Sequence, residues 1–444
     1  MRGLRSFLVL LIIGAGLSAY LYFVESKRDP SDADKKEKVF TVDSGKIDEL
    51  TVKSESGERT SLKKTGSEWQ IVAPVAAPTD GAAISGLTSN LSSLELQRVI
   101  EENPQDLTEY GLAQPRLEVT FKAGGQEHRL QIGRKTPAAT DLYAKLGDQK
   151  RVFLIPGFVD TTFNKTTFDL RDKTVLKVDR DKIEAVSITS PKRTLQFAKA
   201  DGEWKLTVPV KARADFTTVD GLVSRLTTLQ MKSIVVPEAA SLVEYGLDKP
   251  EVAIQLGSGS SQATLLVGKT AGEGVVYAKD QSRPAVVTVE ATLLTDVTKD
   301  AGEYRQKDFF DGRAFNATRL EVTRNGQSFV FEKTKTKNKD GQDEEKWKQS
   351  APAARDVDQS TVDNLISAVT ASRATSFVDT TAKTGPDKVE LVVTLTSDEG
   401  KRVEKVSFSR AGTEGYGARD GEPGIAKVDA ATIDNIAKSL EGIK

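Results

Sequence analysis

The stretch WQIVAPVAAPTD, residues 69–80, recurs twice along the chain in altered form, as WKLTVPVKARAD at 204–215 and as WKQSAPAARDVD at 347–358. In each copy a Pro stands five residues after the Trp, and an Asp stands eleven residues after it. Three Trp residues followed by the same two residue types at the same two offsets indicate three copies of one structural unit.

Beyond each Asp, apolar residues fall at offsets of 4, 7 and 11, which places one apolar stripe along a helix of about four turns. The three sets are Ile84, Leu87 and Leu91, then Val219, Leu222 and Leu226, then Val362, Leu365 and Val369. We therefore interpret Asp80, Asp215 and Asp358 as helix N-caps, whose carboxylates accept backbone N–H groups, rather than as catalytic acids. Each Trp is expected to pack against the stripe of its own unit.

Alternating apolar and polar segments before and after each helix predict antiparallel strands with one buried face. The segments before the Trp residues are KIDELTV (46–52), KIEAVSI (182–188) and RLEVT (319–323). The closing stretches LRDK and YRQK, which end at residues 173 and 307, mark the repeat boundaries. The predicted fold class is α+β, with one N-terminal transmembrane helix followed by three tandem α+β repeats with antiparallel sheets, at residues 39–172, 173–307 and, in divergent form, 308–444.

A second repeated element is the heptapeptide EYGLAQP at 109–115, which returns as EYGLDKP at 244–250 but has no counterpart in the third unit. We expect a helix capped by Asn103, with Pro104 at its first position, that ends at Gly111 in the left-handed conformation. Leu112 should then contact Leu107, as Leu247 should contact Leu242 in the second copy. The tyrosines at 110 and 245 are either ligand contacts or packing residues.

The N-terminus contains the strongest local signal, an uncharged run of 18 residues from Phe7 to Val24. This length is sufficient to cross the hydrocarbon core of a bilayer as a helix. We predict a membrane anchor at 1–24 and a polar tether at 25–38, with a cleaved leader as the alternative. A short cytoplasmic tail and a large exported domain are the simpler orientation, which predicts a single-pass protein of the bacterial inner membrane with a periplasmic domain.

The composition excludes several kinds of chemistry. The chain has no Cys and one His, which removes thiolate chemistry, Cys/His zinc sites and most Ser-His-Asp arrangements. Its formal charge of −1 provides no field that would attract nucleic acid. We predict no catalytic, cofactor-binding or metal-ligating residue, expect no cofactor and no nucleic-acid partner, and leave the ligand or partner contacts unassigned.

Four further features have alternative interpretations. VGKTA at 267–271 lacks the earlier Gly of a phosphate-binding loop, because Ala263 stands in its place. His128 is interpreted as an ordinary strand residue. Tyr143 with Lys145, and Tyr277 with Lys279, form either a repeated polar binding ledge or a solvated outer strand face. The stretch KTKTKNKDGQDEEK at 333–346 is found only in the third unit and is predicted to form a mobile hairpin tip.

The N-terminal helix, the W-x4-P-x5-D element, the EYGL-x2-P element and the strands with IG and YAK together resemble the bacterial family known as domain of unknown function 4340. The resemblance extends over residues 7–444 and is weakest in the third unit, where EYGL is absent and Tyr416 is followed by GAR. It implies a transport or envelope role, since such proteins are commonly encoded beside ABC-type permeases and gliding-motility-like auxiliary subunits. The family provides no catalytic residues to transfer to this chain.

Three functional hypotheses remain. The first is a non-catalytic, membrane-anchored envelope protein that serves as an accessory or scaffold subunit of an ABC-type transport system, with inner-membrane proteins as its partners and the membrane contacted through residues 7–24. The second is an extracytoplasmic module that binds a cell-envelope glycan or lipid. The third is a hydrolase that uses carboxylates alone. We favour the first hypothesis, because tandem repeats build extended surfaces suited to partner proteins.

Overall fold

The computed structural model describes residues 37–258, 261–337, 343–378 and 388–443. By its internal contacts the chain divides into two compact units, the first ending at Lys173 and the second beginning at Thr174. The predicted anchor at 7–24 and nearly all of the predicted tether lie outside the described residues. Within the described ranges, no helix combines the length and apolar character needed to cross a membrane.

The first unit contains one nine-stranded sheet in which every pair of neighbouring strands is antiparallel. Its order is β4-β3-β2-β1-β6-β7-β8-β9-β5. The strands are β1 Ile47–Lys53, β2 Arg59–Thr65, β3 Glu68–Ala73, β4 Ala77–Pro78, β5 Arg98–Glu101, β6 Leu117–Ala123, β7 Gln126–Lys135, β8 Asp141–Leu146 and β9 Val152–Pro156. The helices are α1 Gly81–Ser93, α2 Val159–Phe163 and α3 Thr167–Leu170.

The second unit contains two further sheets of nine strands with the same order and the same antiparallel pairing. The sheet of repeat 2 is formed by β10 Ala185–Ser190, β11 Arg193–Ala200, β12 Glu203–Val208, β13 Ala212–Arg213, β14 Ser233–Val236, β15 Val252–Ser258, β16 Ser261–Gly272, β17 Val275–Asp280 and β18 Val286–Glu290, with helices α4 Phe216–Thr227, α5 Thr292–Val297 and α6 Ala301–Tyr304. The sheet of repeat 3 is formed by β19 Ala317–Arg324, β20 Gln327–Lys337, β21 Asp343–Ala351, β22 Arg355–Asp356, β23 Ala374–Phe377, β24 Val389–Ser397, β25 Arg402–Ala411, β26 Glu414–Arg419 and β27 Ala426–Val428, with helices α7 Gln359–Thr370 and α8 Ala430–Glu441. Each predicted repeat range thus contains one antiparallel sheet, and the α+β prediction is confirmed.

The capping prediction is confirmed in all three repeats. The Asp80 carboxylate accepts the amides of Ala82 and Ala83 at 2.9 and 3.0 Å. Asp215 accepts the amide of Thr218 at 2.8 Å, and Asp358 accepts that of Thr361 at 3.2 Å. These bonds satisfy amide donors of the first helical turn, so each Asp determines where its helix begins.

The apolar stripes form the interior of each repeat. All nine predicted stripe residues are buried, as are Leu94 and Leu229 at the next position of the pattern. Trp204 and Trp347 are buried, and Trp69 is half-buried against the core of the first unit. One main helix therefore packs across one face of each sheet, as the 3.6-residue period predicts.

Repeat 3 has two elements that the other two repeats lack. The insertion extends the hairpin of β20 and β21, whose last described pair is Lys337 opposite Asp343, so the hairpin is confirmed. Its predicted mobile tip, residues 338–342, lies outside the described residues. At the C-terminus, α8 packs against α7, and Ile433, Ile436 and Leu440 of α8 are buried. The repeat pattern did not predict α8, because the first two repeats have only short helices at this point.

Candidate functional site

The heptapeptide is a structural turn in both copies. Gly111 adopts φ of 66°, and its amide donates to the Thr108 carbonyl at 3.0 Å. The Leu112 amide donates to the Leu107 carbonyl at 3.0 Å, which completes a Schellman ending. The second copy repeats both bonds around Gly246, whose φ is also 66°. The predicted ending is confirmed.

The prediction that a helix leads into this turn was wrong. Only a 3₁₀ turn, Thr108–Tyr110, precedes Gly111, and neither Asn103 nor Pro104 begins a helix. The Asp106 carboxylate, rather than Asn103, accepts the Thr108 amide at 2.8 Å. The segment between β5 and this turn is too short and too poor in apolar residues for a helix with a buried stripe.

The turn packs against a glycine of a distant strand, which explains the IG and VG dipeptides. A Cβ atom on Gly133 would lie 2.1 Å from the Tyr110 carbonyl oxygen, and one on Gly268 would lie 2.2 Å from the Tyr245 carbonyl oxygen. Both distances are far below any carbon–oxygen contact, so only glycine fits. Gly268 of VGKTA therefore serves strand packing, in keeping with the absence of a phosphate-loop pattern.

The paired tyrosines and lysines lie on half-buried or buried strand faces. The ring of Tyr143 lies 5.1 Å from that of Tyr110, and the rings of Tyr277 and Tyr245 lie equally close. Lys145 is only 7% exposed and donates to Gln131 at 2.9 Å and to the Gly147 carbonyl. Burial lowers the pKa of the Lys145 ammonium group below its ordinary value. The solvated-face interpretation is wrong for Lys145, and the rings of Tyr143 and Tyr277 pack against the heptapeptide turns; the binding ledge stays a prediction.

His128 lies in β7 as expected, with its ring stacked on Phe121 at a centroid distance of 5.0 Å. Within the parts of the chain that the structure describes, no group of three or more His, Asp or Glu side chains could hold a metal ion.

Repeats 2 and 3 are joined by a linker, residues 305–309, that pairs with both sheets. Its Gln306 amide donates to the carbonyl of Arg213, the last residue of β13, at 3.0 Å. The amide of Ala374, the first residue of β23, donates to the Lys307 carbonyl at 2.7 Å. The linker thereby lies between the edge of one sheet and the edge of the next, and holds the two repeats at a fixed spacing.

A network of charged side chains reinforces this junction. Arg213 of repeat 2 donates to Glu422 and Asp311 of repeat 3 at 2.5 and 2.6 Å. Glu422 also accepts from Arg305 at 3.4 Å, and Arg305 is only 5% exposed. Burial lowers the pKa of the Arg305 guanidinium, and the neighbouring Glu422 carboxylate opposes this shift. Removal of one partner from a buried ion pair destabilises the fold strongly, because the other charge is left uncompensated.

A groove of about 940 Å³ opens beside the junction. The turn between β10 and β11 contributes Lys192, the linker contributes Lys307, and β23 contributes Phe377. Its apolar wall includes Val208 and Val210 at the end of β12. The volume lies at the upper end of the range for ligand pockets. No sequence motif indicated these residues, because they come from separate segments.

The Phe377 ring is held in place by Arg305, whose guanidinium carbon lies 3.8 Å from the ring centroid. The Arg305 Nε atom is buried and has no hydrogen-bond partner among the described residues. Stacking on Phe377 thus stabilises a guanidinium group that hydrogen bonds only partly satisfy.

The outward face of the second sheet differs from the equivalent faces of the other two. In repeat 1, Glu49 lies opposite Lys63 and Lys122 and pairs with them at 3.3 and 2.7 Å. In repeat 3, Arg319 at the same position pairs with Glu332 at 3.0 Å.

Repeat 2 has Ala185, Ala198 and Gly257 at the positions of the ion triad of repeat 1. The result is a trough of about 310 Å³ whose walls include Gln196 and Gln255. It presents neutral amide and hydroxyl groups where the other repeats present charges.

The family model described as "Domain of unknown function (DUF4340)" matches the chain twice, over residues 69–209 and 204–391. The two matches begin at Trp69 and Trp204, the first residues of the first two motif copies, and together cover well over half of the chain. No curated protein matches the chain.

Among solved structures, a Pseudomonas aeruginosa DNA polymerase sliding clamp with ligand is 10% identical and covers 88% of this chain and 92% of its own, with a TM-score of 0.14. The DNA polymerase III subunit beta of the same organism is also 10% identical and covers 86% of this chain and 92% of its own, with a TM-score of 0.16. At TM-scores this low, no conclusion about fold or function follows.

Proposed function

This chain belongs to the family described as "Domain of unknown function (DUF4340)", and we propose that it is a non-catalytic, membrane-anchored protein of the bacterial cell envelope that binds inner-membrane partner proteins. In this proposal residues 7–24 cross the inner membrane once and the three repeats stand in the periplasm. The support for the anchor is the uncharged run of 18 residues, long enough to span a bilayer.

The observation that supports a binding role is the position of the groove, which lies where two repeats meet. The residues that recur most exactly between the repeats are used in folding instead. Asp80, Asp215 and Asp358 cap helices, and Gly111 and Gly246 end turns. A groove whose walls come from two repeats fixed at one spacing presents a preformed surface, and preformed surfaces bind partners at lower entropic cost.

The partners we propose are permease or auxiliary subunits of an ABC-type transport system, with this chain as an accessory or scaffold subunit. The support is the resemblance to a family whose members are commonly encoded beside such components. The proposal assigns no catalytic residue, no metal, no cofactor and no nucleic-acid partner to the chain.

The experiment is crosslinking in intact cells, followed by purification of the chain and identification of the attached membrane proteins. The proposal expects a polytopic inner-membrane protein of a transport system as the main product. A chain crosslinked only to cell-wall material, or to no membrane protein, would contradict it.

A second candidate function is the binding of a neutral envelope ligand, such as a glycan, and the trough of repeat 2 favours it. Carboxamides such as those of Gln196 and Gln255 both donate and accept hydrogen bonds, as sugar hydroxyl groups require. The double variant Ala185→Glu, Ala198→Lys introduces two of the three charges of the repeat 1 triad and fills the trough. On a glycan array, this candidate expects binding by the wild-type chain and none by the variant. Equal signals from the two proteins would eliminate it.

A further inference from the structure

We propose that the groove between repeats 2 and 3 binds an extended acidic peptide segment with apolar side chains, contributed by a partner protein. This inference rests on the proposed function, because it specifies the chemistry of the partner. It is drawn from the charges that the groove leaves unneutralised, from its apolar wall and from its openness to solvent.

Two of the four cations that line the groove are already neutralised within the chain. Arg193 donates to the Asp300 carboxylate and to the carbonyls of Thr298 and Lys299. Arg305 pairs with Glu422. Neither arginine therefore requires a negative charge from outside.

The other two cations, Lys192 and Lys307, have no carboxylate within ion-pair distance in the described ranges of the chain. Of the two acidic residues that line the groove, Asp300 pairs with Arg193, whereas Glu303 accepts the Asp300 amide and keeps its charge, so the lining retains a surplus of one positive charge. Lys192 comes from repeat 2 and Lys307 from the linker. A ligand with a carboxylate placed against either lysine would complement this surplus.

The apolar part of the groove requires more than an anion. Val208, Val210 and the Phe377 ring line it together with the two lysines. Burial of apolar side chains against this wall supplies the non-directional part of the affinity, and the lysines supply orientation and specificity. The ligand is therefore amphipathic, with carboxylates beside apolar groups.

A peptide fits this surface better than an anionic lipid. The groove is open to solvent, so an acyl chain laid along it would keep much of its surface in water. Its volume of about 940 Å³ also far exceeds the space that a single phosphate group occupies. A peptide places alternate side chains toward the wall and keeps its other face in water.

The test is selection of random dodecapeptides displayed on phage, on the full-length chain held in detergent micelles. The wild-type chain should select peptides with Asp or Glu beside apolar residues. The charge-reversed variant Lys192→Glu, Lys307→Glu should bind synthetic copies of these peptides at least about tenfold more weakly, since two attractions become repulsions. It should instead select peptides rich in Lys and Arg.

The matched control is Lys205→Glu, Lys405→Glu, which reverses two exposed lysines, one in each repeat, that do not line the groove. It should bind the wild-type peptides without change. The inference is overturned by selected peptides without acidic residues, by equal affinity of the groove and control variants, by a failure to select any peptide, or by binding to phosphatidylglycerol vesicles alone.

The two proposals can fail separately. Acidic peptides that bind the groove of a chain with no crosslinked transport protein would support this inference and contradict the proposed function. A crosslinked transport protein together with selected peptides that lack acidic residues would support the proposed function and contradict this inference.

Discussion

Replacement of Gly133 by Ala tests whether the heptapeptide turn is a folding element. The new Cβ atom would lie 2.1 Å from the Tyr110 carbonyl oxygen and 3.1 Å from both the Gly111 carbonyl carbon and Leu112 Cγ. Close carbon–oxygen contacts in proteins are about 3.3 Å, so the turn must move by about 1 Å. The obstacle is backbone, and rotation of a side chain cannot relieve it.

The expected cost is about 2 kcal/mol, within the range of about 1–3 kcal/mol for one added methyl group in a packed site. Displacement of the turn also weakens the contact of Leu112, which is only 3% exposed, with its apolar neighbours. A cost of about 2 kcal/mol corresponds to roughly thirtyfold faster opening of the turn.

The assay is hydrogen–deuterium exchange of the full-length chain, read by mass spectrometry for peptides that contain Gly111 and Leu112. Exchange resolves single segments, whereas one melting temperature is poorly defined for a chain with more than one compact unit. Gly268→Ala should have the same effect around Gly246, because its Cβ would lie 2.2 Å from the Tyr245 carbonyl oxygen.

Gly86→Ala is the matched control, since this glycine lies in α1 with nothing within 4 Å of the added atom. Alanine is the better helix former, so this variant should gain about 1 kcal/mol. Unchanged protection around Gly111 in Gly133→Ala would refute the packing argument. If that variant also lost its cellular function, the turn would become a binding-site candidate.

Three further results follow from the caps, the junction and the N-terminus. Asp358→Asn should leave hydrogen exchange in α7 and the cellular function unchanged, whereas Asp358→Ala should speed exchange in α7; equal effects of the two variants would contradict a capping role. Hydrogen bonds from Ser360 and Thr361 lower the pKa of Asp358 below its ordinary value of 3.8. The ionised cap should therefore stabilise the helix at neutral pH, and this stabilisation should be lost as the pH falls through the lowered pKa. Hydrogen exchange in α7, measured between about pH 5 and pH 2, tests this. Glu422→Gln should cost about 2–3 kcal/mol, because it leaves Arg305 without a carboxylate and Arg213 with Asp311 alone, and proteolysis between repeats 2 and 3 should become faster. Unchanged proteolysis would mean that the network does not hold the junction. Protease added to spheroplasts should digest the three repeats and spare residues 7–24, whereas full protection of the repeats would contradict the periplasmic orientation.

The helix caps and turn endings could be predicted from the sequence, because they depend on hydrogen bonds between residues close together in the chain. Asp80 caps a helix whose first amides lie two and three residues away, and Gly111 ends a turn through bonds within five residues. Such interactions depend little on the rest of the fold, so spacing alone was sufficient.

The wrong expectation at Asn103 and Pro104 arose because the same residue types also begin turns and irregular loops. The missed helix α8 had a local signal, Asp429 followed by Ile433, Ile436 and Leu440. It was overlooked because comparison between repeats emphasises what all three share.

The groove had no local signal. Lys192, Lys307 and Phe377 lie at least 70 positions apart in sequence, and only the linker and the edge strands bring them together. The burial of Lys145 was likewise not predicted, because Gln131, which accepts a hydrogen bond from its ammonium group, comes from the neighbouring strand 14 positions earlier. Sites assembled from distant segments require the tertiary structure.

The most direct test of the proposed function is photocrosslinking from inside the groove in cells that naturally produce the protein. A photoreactive amino acid at Thr375, an exposed groove residue, should crosslink an inner-membrane transport protein. The same group at Lys405, on the outward face of the third sheet, should not, and Lys192→Glu with Lys307→Glu should abolish the product from position 375. Equal crosslinking from positions 375 and 405, or none from position 375, would contradict the account.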